Sequence, residues 1–171
     1  MNPIIPVSEF PFRRVSVTGG TGTIGRQWLK ALIHQFPQVE RTTTNCRPGR
    51  SQRIPSSPKI QVIEGGVDDV GNLKALIEAG DICYHLAAWL ANLELPEPTE
   101  VYLVNGLVPA VVGRLCAASG KPLVFTSSHS VYFAGEYKGF IQEEAFESLD
   151  APVRAHAEDF ARAVEEGLPV R

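Results

Sequence analysis

One short run governs how this chain folds: Val17-Thr18-Gly19-Gly20-Thr21-Gly22-Thr23-Ile24-Gly25. A β-branched segment precedes the run, and apolar residues at helical spacing follow it as far as Gln35, so its glycines join a strand to a helix. We expect Gly19 to permit the tight turn, Gly22 to let a phosphate approach the backbone, and Gly25 to let the helix pack on the strand. The alternative, a plain glycine-rich connection, fits these flanks less well. The run therefore predicts a dinucleotide-binding turn, where the N–H groups of the helix start attract phosphates.

Short β-branched runs alternate with amphipathic helical stretches along the rest of the chain, a pattern typical of parallel strands joined by crossover helices. Strands are predicted at 14–18, 39–46, 60–64, 81–88 and 122–127, and helices at 25–35, 72–79, 99–119 and 151–166. Pro109 is expected to kink the third helix mildly or to mark its first turn. The predicted fold class is α/β, a Rossmann-type doubly wound parallel sheet of about five strands with room for a short sixth, and no separate substrate domain. Residues 1–12 are expected to form an extended N-terminal segment before a single NAD(P)-binding domain over residues 13–171.

Composition excludes several classes of partner. The chain has 171 residues, of which 44% are hydrophobic and 20% charged, as in an ordinary globular protein. A net charge of -3 without runs of like charge favours neither nucleic acid nor an anionic membrane surface as a partner. No apolar run is expected to approach the roughly 20 residues that a membrane span requires. We therefore expect a cytoplasmic protein with no nucleic-acid and no membrane partner.

The cysteines and histidines show no metal-ligand spacing. The cysteines are odd in number, lie far apart and lack any CxxC pair, which predicts reduced, buried thiols: Cys46, Cys83 and Cys116. The histidines likewise share no ligand pattern: His34, His85, His129 and His156. No metal site is predicted.

The end of the second predicted strand indicates which dinucleotide is bound. An acidic residue normally accepts a hydrogen bond from the ribose 2′-hydroxyl at this place, but the residues are Thr42-Thr43-Thr44-Asn45-Cys46-Arg47. Arg47, Arg50 and Arg53 follow instead, and guanidinium groups suit bidentate contacts with a 2′-phosphate. We therefore predict NADP as the cofactor, with NAD as the alternative. For Arg50 and Arg53 a role in merely solubilising the loop is an equal alternative.

Two further runs carry a family resemblance. They are Asp81-Ile82-Cys83-Tyr84-His85-Leu86-Ala87-Ala88 and Val124-Phe125-Thr126-Ser127-Ser128-His129-Ser130-Val131-Tyr132. With the glycine run and Val104-Asn105, the chain resembles the extended short-chain dehydrogenases/reductases, the NAD-dependent epimerase/dehydratase family, over about residues 14–171. In that family a TGxxGxxG turn, a DxVxHLAA strand and an SSxxVYG strand end recur in this order. Phe133 stands in place of the glycine of VYG.

The resemblance implies roles for individual residues. The family's catalytic serine or threonine lies four residues before the tyrosine of VYG, which corresponds to Ser128 here, where it would hydrogen-bond a substrate carbonyl or hydroxyl. The alternative for Ser128, a serine that caps the turn at the strand end, fits less well because Ser127 could do that capping. After the third strand the family often has an Asp that reads the adenine; Gly66 stands there, so adenine contact would rest on Val67 and on backbone groups. The predicted cofactor-binding residues are therefore Gly19, Thr21, Gly22, Thr23, Ile24, Gly25, Arg47, Val67, Leu86, Ala87 and Ala88. Asp68 or Asp69 is expected to cap the following helix.

The family's YxxxK pair is missing, because no tyrosine in this sequence has a lysine four residues later. Aligning the last predicted helix on its closing Gly-Leu-Pro-Val places Asp150 at the tyrosine and Arg154 at the lysine, whereas anchoring on Pro152 places Val153 and Ala157 there. In the first frame Arg154 would hold a ribose or phosphate, and Asp150 would pass a proton only if burial raised its pKa strongly. A helix N-cap and a solvated arginine are the alternative for these two residues.

The resemblance implies an NAD(P)-binding oxidoreductase, epimerase or dehydratase acting on a carbonyl or hydroxyl of a sugar-nucleotide-like substrate. Two alternatives follow from the missing pair: a catalytically lapsed NADP-binding module that serves as a sensor or partner subunit, or a fragment of a longer enzyme. In the family the helices at 99–119 and 151–166 build a dimer interface, so a homodimer through them is expected.

Overall fold

The computed structural model describes residues 10–89 and 98–127, which contain five strands and four α-helices. The strands are β1 (Arg14–Thr18), β2 (Arg41–Cys46), β3 (Ile60–Glu64), β4 (Ile82–His85) and β5 (Leu123–Phe125). The helices are α1 (Thr23–Gln35), α2 (Val70–Ala79), α3 (Pro98–Tyr102) and α4 (Val108–Ala118), with a 3₁₀ turn at Ser51–Arg53 and a π-helical turn at Leu103–Leu107. All these elements belong to the first of two units into which the chain divides, residues 1–126 and 127–171. The predicted helix at 151–166 lies outside the described residues.

The five strands form one parallel sheet in the order β3-β2-β1-β4-β5. The order reverses direction at β1, since the chain moves outward through β2 and β3 and then returns to the other side of β1 with β4. This reversal is the topological switch point at which α/β proteins bind ligands, beyond the carboxyl ends of the strands. The predicted Rossmann-type fold is confirmed.

Alternating side chains along the strands give the sheet a core on each face. Val15 and Val17 of β1 belong to one cluster together with Leu29 and Leu32 of α1. Cys83 of β4 belongs to a second cluster of buried residues, with Leu73, Ile77, Val108, Val112 and Cys116 from α2 and α4. Since successive side chains of a strand point to opposite faces, the sheet is covered by α1 on one side and by α2 and α4 on the other.

Several predicted boundaries shift for identifiable reasons. Strand β4 ends at His85 rather than at residue 88, because the N–H groups of Leu86 and Ala87 donate to the Thr18 side chain instead of to a neighbouring strand. Strand β2 begins at Arg41 rather than at residue 39, because the Val39 N–H closes a turn onto the Phe36 carbonyl. Helices α1 and α2 each begin two residues earlier than predicted.

The long helix predicted at 99–119 is divided in three. The Val108 N–H donates to the carbonyl of Leu103, five residues earlier, which widens one turn into a π-helix. Pro109 follows at once in the first turn of α4, where its missing N–H is tolerated. The proline thus marks the first turn of a new helical segment, one of the two outcomes expected.

The segment Glu100–Ala118 also corrects the expectation about apolar runs. It has 19 residues and a mean hydropathy of 1.6, so it is long and apolar enough to cross a membrane by length and composition alone. Its Val108, Val112 and Cys116 side chains are buried in the second core cluster, while 22% of its 18-residue apolar window is buried in the structure.

Candidate functional site

A cleft of about 360 Å³ lies at the switch point, beyond the carboxyl ends of the strands. The loops that follow β1, β2, β3 and β4 all contribute to it, together with Val104 of the π-helical turn. The residues that line it are Gly19, Thr21, Gly22, Asn45, Cys46, Arg47, Arg50, Arg53, Gly65, Gly66, Val67, Leu86, Ala87, Ala88, Trp89 and Val104. Eight of the eleven predicted cofactor-binding residues are in this set; Thr23, Ile24 and Gly25 are not.

The glycine turn forms the centre of the cleft floor. Gly19 has φ +74°, and a Cβ there would lie 2.7 Å from the backbone nitrogen of Ala87. Gly25 is buried, and a Cβ on it would collide with the Gly19 carbonyl oxygen. A Cβ on Gly20 would collide with the Thr44 hydroxyl, a constraint that the GxxGxxG spacing did not reveal. These three glycines are therefore required by the packing of the turn itself.

Gly22 differs from the other glycines of the turn. A Cβ there would meet a single protein atom within 4 Å, the Gly19 carbonyl oxygen at 3.2 Å. Gly22 is also the N-cap of α1, with no side-chain cap and no acidic residue in the first helical turn. Thr23 and Ile24 are exposed at this helix start. The first N–H groups of α1 are thus available to an anion, which is the electrostatic situation that binds phosphates at helix N-termini.

A buried hydrogen-bond network fixes the part of the cleft wall that follows β4. The Thr18 hydroxyl oxygen accepts the N–H groups of Leu86 at 3.1 Å and Ala87 at 3.2 Å. Its proton is then directed to Nδ1 of His85, which lies 2.7 Å away. Burial lowers the pKa of His85 to about 4, so the imidazole is neutral and accepts this bond. These bonds fix Leu86 and Ala87 beside Thr18, the residue that leads into the glycine turn.

The third wall is cationic. Arg47, Arg50 and Arg53 all line the cleft, and the 3₁₀ turn Ser51–Arg53 brings the last of them back toward it. None of the three takes part in an ion pair among the described residues, and no described acidic side chain lines the cleft. The sequence left two roles open for Arg50 and Arg53, binding a phosphate or solubilising the loop. Their loop forms part of the cleft wall.

Trp89 is a cleft residue that sequence reasoning missed. Its ring centroid lies 5.1 Å from the guanidinium carbon of Arg47. Its backbone N–H donates to Oδ1 of Asn105 over 2.7 Å, and its carbonyl accepts from Nδ2 of Asn105 over 2.9 Å. The sequence held one indirect sign of this contact. The family resemblance includes the pair Val104-Asn105, and Asn105 is the residue that bonds to the Trp89 backbone.

The part of the cleft where β2 and β3 end is formed by a glycine pair and two neighbouring side chains. Gly65, Gly66 and Val67 line it, and Asn45 is buried beside them with its Nδ2 3.4 Å from the Gly65 carbonyl. Asn45 Oδ1 accepts no hydrogen bond from the described residues. The open helix start and the arginines together make the cleft suited to a ligand that carries phosphate groups.

The remaining predicted residues have separate outcomes. Asp69 caps α2, since its Oδ1 accepts the Asn72 N–H over 3.1 Å, so the expected acidic cap is Asp69 rather than Asp68. Ser128, Asp150 and Arg154 lie outside the described residues. Across residues 10–89 and 98–127, no group of three His, Cys, Asp or Glu side chains is arranged to hold a metal ion.

Comparison with known proteins agrees with this geometry. The family model described as "NAD dependent epimerase/dehydratase family" matches residues 15–164. Vestitone reductase from Medicago sativa is 26% identical over 148 residues, covering 80% of this chain and 45% of that protein. A 3 beta-hydroxysteroid dehydrogenase/Delta 5-->4-isomerase from Mycobacterium tuberculosis is 26% identical over 132 residues, covering 72% of this chain and 34% of that protein. The chain thus spans less than half the length of these curated relatives.

Solved structures share the fold. The epimerase Mth375 from Methanothermobacter thermautotrophicus has a TM-score of 0.66 at 26% identity, over 77% of this chain and 40% of its own. The Bordetella bronchiseptica enzyme WbmG, solved with NAD, has a TM-score of 0.59 at 22% identity, over 72% and 40% of the two chains. A short-chain dehydrogenase/reductase from Veillonella parvula, solved with NADP, has a TM-score of 0.55 at 15% identity, over 92% and 65%. The last two likenesses concern the fold alone.

Proposed function

We propose that this chain, which belongs to the NAD-dependent epimerase/dehydratase family, binds NADP. It presents the cofactor to a carbonyl or hydroxyl of a sugar-nucleotide-like substrate. The observation that carries the choice of cofactor is the cationic wall: three arginines and no described carboxylate line the cleft. When bound, the cofactor supplies a nicotinamide ring that accepts or donates hydride. Every other part of the task falls to the protein's own groups.

Binding divides between two parts of the cleft, the open start of α1 and the cationic wall. The first N–H groups of α1, after Gly22, receive the pyrophosphate, since a helix start with no cap favours an anion. Arg47 and its two neighbours receive the 2′-phosphate, because a guanidinium offers two parallel N–H donors to phosphate oxygens. A carboxylate in their place would repel that phosphate. The resulting preference is for NADP over NAD.

Support for substrate chemistry comes from the relatives. One is a reductase by name and one a dehydrogenase/isomerase. In this chain we assign Ser128 to orienting the substrate oxygen by a hydrogen bond, with Asp150 and Arg154 as the candidates for proton transfer and ribose contact. Positioned acid–base catalysis contributes about 10²–10⁴-fold in rate, so a protein without the family's tyrosine and lysine would turn over slowly at best.

The arginine assignment is tested by calorimetric titration of the Arg47→Ala protein with NADP and with NAD. We expect NADP affinity to fall about tenfold or more, since a lost charge-assisted bond costs roughly 1.5–3 kcal/mol, and NAD affinity to stay within about twofold. Arg114→Ala is the matched control, because Arg114 is exposed on α4 and does not line the cleft. An equal loss for both nucleotides would overturn the 2′-phosphate assignment.

Turnover is tested separately with NADPH and a panel of carbonyl substrates, including sugar nucleotides. Nucleotide oxidation above the blank, lowered in a Ser128→Ala protein that still binds NADP, is the expected result. Binding without any oxidation would contradict the enzymatic part of the proposal and indicate a nucleotide-binding module.

A further inference from the structure

Trp89 follows β4, and its ring contacts the guanidinium group of Arg47. We propose that Trp89 is a specificity-determining residue: its indole ring holds the Arg47 guanidinium in place to receive the 2′-phosphate, and Asn105 positions Trp89. The inference rests on the proposed binding of NADP. It adds Trp89 and Asn105, which lie far in sequence from the arginines that follow β2.

The contact joins two different walls of the cleft. Arg47 directly follows β2 and Trp89 lies four residues after the end of β4, and these two strands flank β1 in the sheet. The guanidinium carbon lies 5.1 Å from the Trp89 ring centroid, within the distance at which a cation is attracted to the face of an indole. A long arginine side chain that would otherwise sample many rotamers is thereby held at the cleft.

The contact with Trp89 leaves the hydrogen-bonding capacity of Arg47 intact. A guanidinium carries several N–H donors, and the attraction between its charge and an indole ring occupies no hydrogen-bond acceptor. No ion pair involves Arg47 among the described residues. An arginine held beside the ring therefore keeps its donors free for a phosphate, and less rotamer entropy is lost when the phosphate binds.

Asn105 fixes the backbone that carries the ring. Its amide makes two hydrogen bonds to the same residue, donating to the Trp89 carbonyl and accepting from the Trp89 N–H. Asn105 lies in the π-helical turn Leu103–Leu107, which directly precedes α4. An irregular turn of this type often lies at a functional site, and here it carries the side chain that holds the Trp89 loop.

The test is calorimetric titration of Trp89→Leu and Trp89→Phe proteins with NADP and NAD, after a thermal melt has shown that both fold. We expect Trp89→Leu to weaken NADP about twofold to fivefold, the range for losing an exposed cation–π contact, and to weaken NAD less. Trp89→Phe keeps an aromatic face and should restore most of the affinity. In an Arg47→Ala background, Trp89→Leu should have no further effect on NADP.

A spectroscopic readout covers the case in which Trp89→Leu fails to fold. The chain has two tryptophans, so Trp89 is the single one left in a Trp28→Phe protein. Saturating NADP should change the fluorescence emission of Trp89, because the bound phosphate alters the field of the Arg47 charge next to the ring. The change should disappear when the Arg47→Ala substitution is added. Unchanged emission in the Trp28→Phe protein would overturn the inference.

The two proposals fail in different ways. If the wild-type chain binds NADP no more tightly than NAD, the proposed cofactor is wrong and this inference falls with it. If the wild-type chain prefers NADP and Trp89→Leu keeps the same preference, or weakens both nucleotides equally, Trp89 has no role in specificity while Arg47 retains its own.

Discussion

The Thr18 hydroxyl donates a hydrogen bond to Nδ1 of His85 over 2.7 Å, at the point where β1 and β4 lead into the cleft. Because the same oxygen accepts two backbone N–H groups, its own proton has one acceptor left, the unprotonated Nδ1. The neutral imidazole that accepts at Nδ1 is therefore the form that satisfies Thr18, and its buried Nε2 has no hydrogen-bond partner among the described residues.

Protonation of His85 should destabilise the protein as the pH falls. Its pKa is about 4 in the folded chain against 6.5 when exposed, so its contribution is complete above about pH 6.5 and is lost progressively down to about pH 4. The difference corresponds to roughly 3 kcal/mol. We expect urea midpoints of the wild-type protein to fall across this range more steeply than those of a His85→Asn protein, whose amide oxygen can still accept from Thr18. Parallel pH dependences would show that His85 does not titrate in this way.

Two glycines of the turn should respond differently to an added methyl group. Gly25→Ala should lower the free energy of unfolding by about 2–3 kcal/mol, because the new Cβ collides with the Gly19 carbonyl. Gly22→Ala should cost less than about 1 kcal/mol, since its Cβ meets one protein atom at 3.2 Å, yet weaken both dinucleotides. Urea unfolding and calorimetry separate the two effects. A Gly22→Ala protein that binds as the wild type does would show that no phosphate approaches this backbone.

The three cysteines should be inert in the folded protein. Cys46, Cys83 and Cys116 are buried, and burial raises the pKa of each thiol, so little reactive thiolate is present at neutral pH. We expect a thiol-reactive reagent to label about three groups in denaturant and none within minutes under native conditions. Rapid native labelling of Cys83 or Cys116 would contradict the burial of the second core cluster, to which both belong.

The sheet and the glycine turn were readable from sequence because their signals are local. A strand, a turn and an apolar helical stripe lie within about 25 residues, and β-branched runs mark the other strands. The end of β4 was misplaced because it depends on Thr18, whose side chain captures the Leu86 and Ala87 N–H groups from far along the chain. Such a contact leaves no trace in the periodicity of β4 itself.

The cleft was harder to derive than the fold. Arg47 was predicted from its place after β2, but its partner Trp89 lies on a different strand end, and Arg50 and Arg53 depend on the path of a loop. Gly20 was overlooked because the constraint on it comes from Thr44 in β2. In each case the missing knowledge was a contact between residues distant in sequence, which composition and spacing do not encode.

Titration of the unmodified chain with NADP and NAD tests the central claim most directly. The cationic wall predicts that NADP binds about tenfold or more tightly than NAD at low salt, and that added salt weakens NADP more than NAD because exposed charges are screened. Equal affinities, tighter binding of NAD, or no heat with either nucleotide would contradict the account.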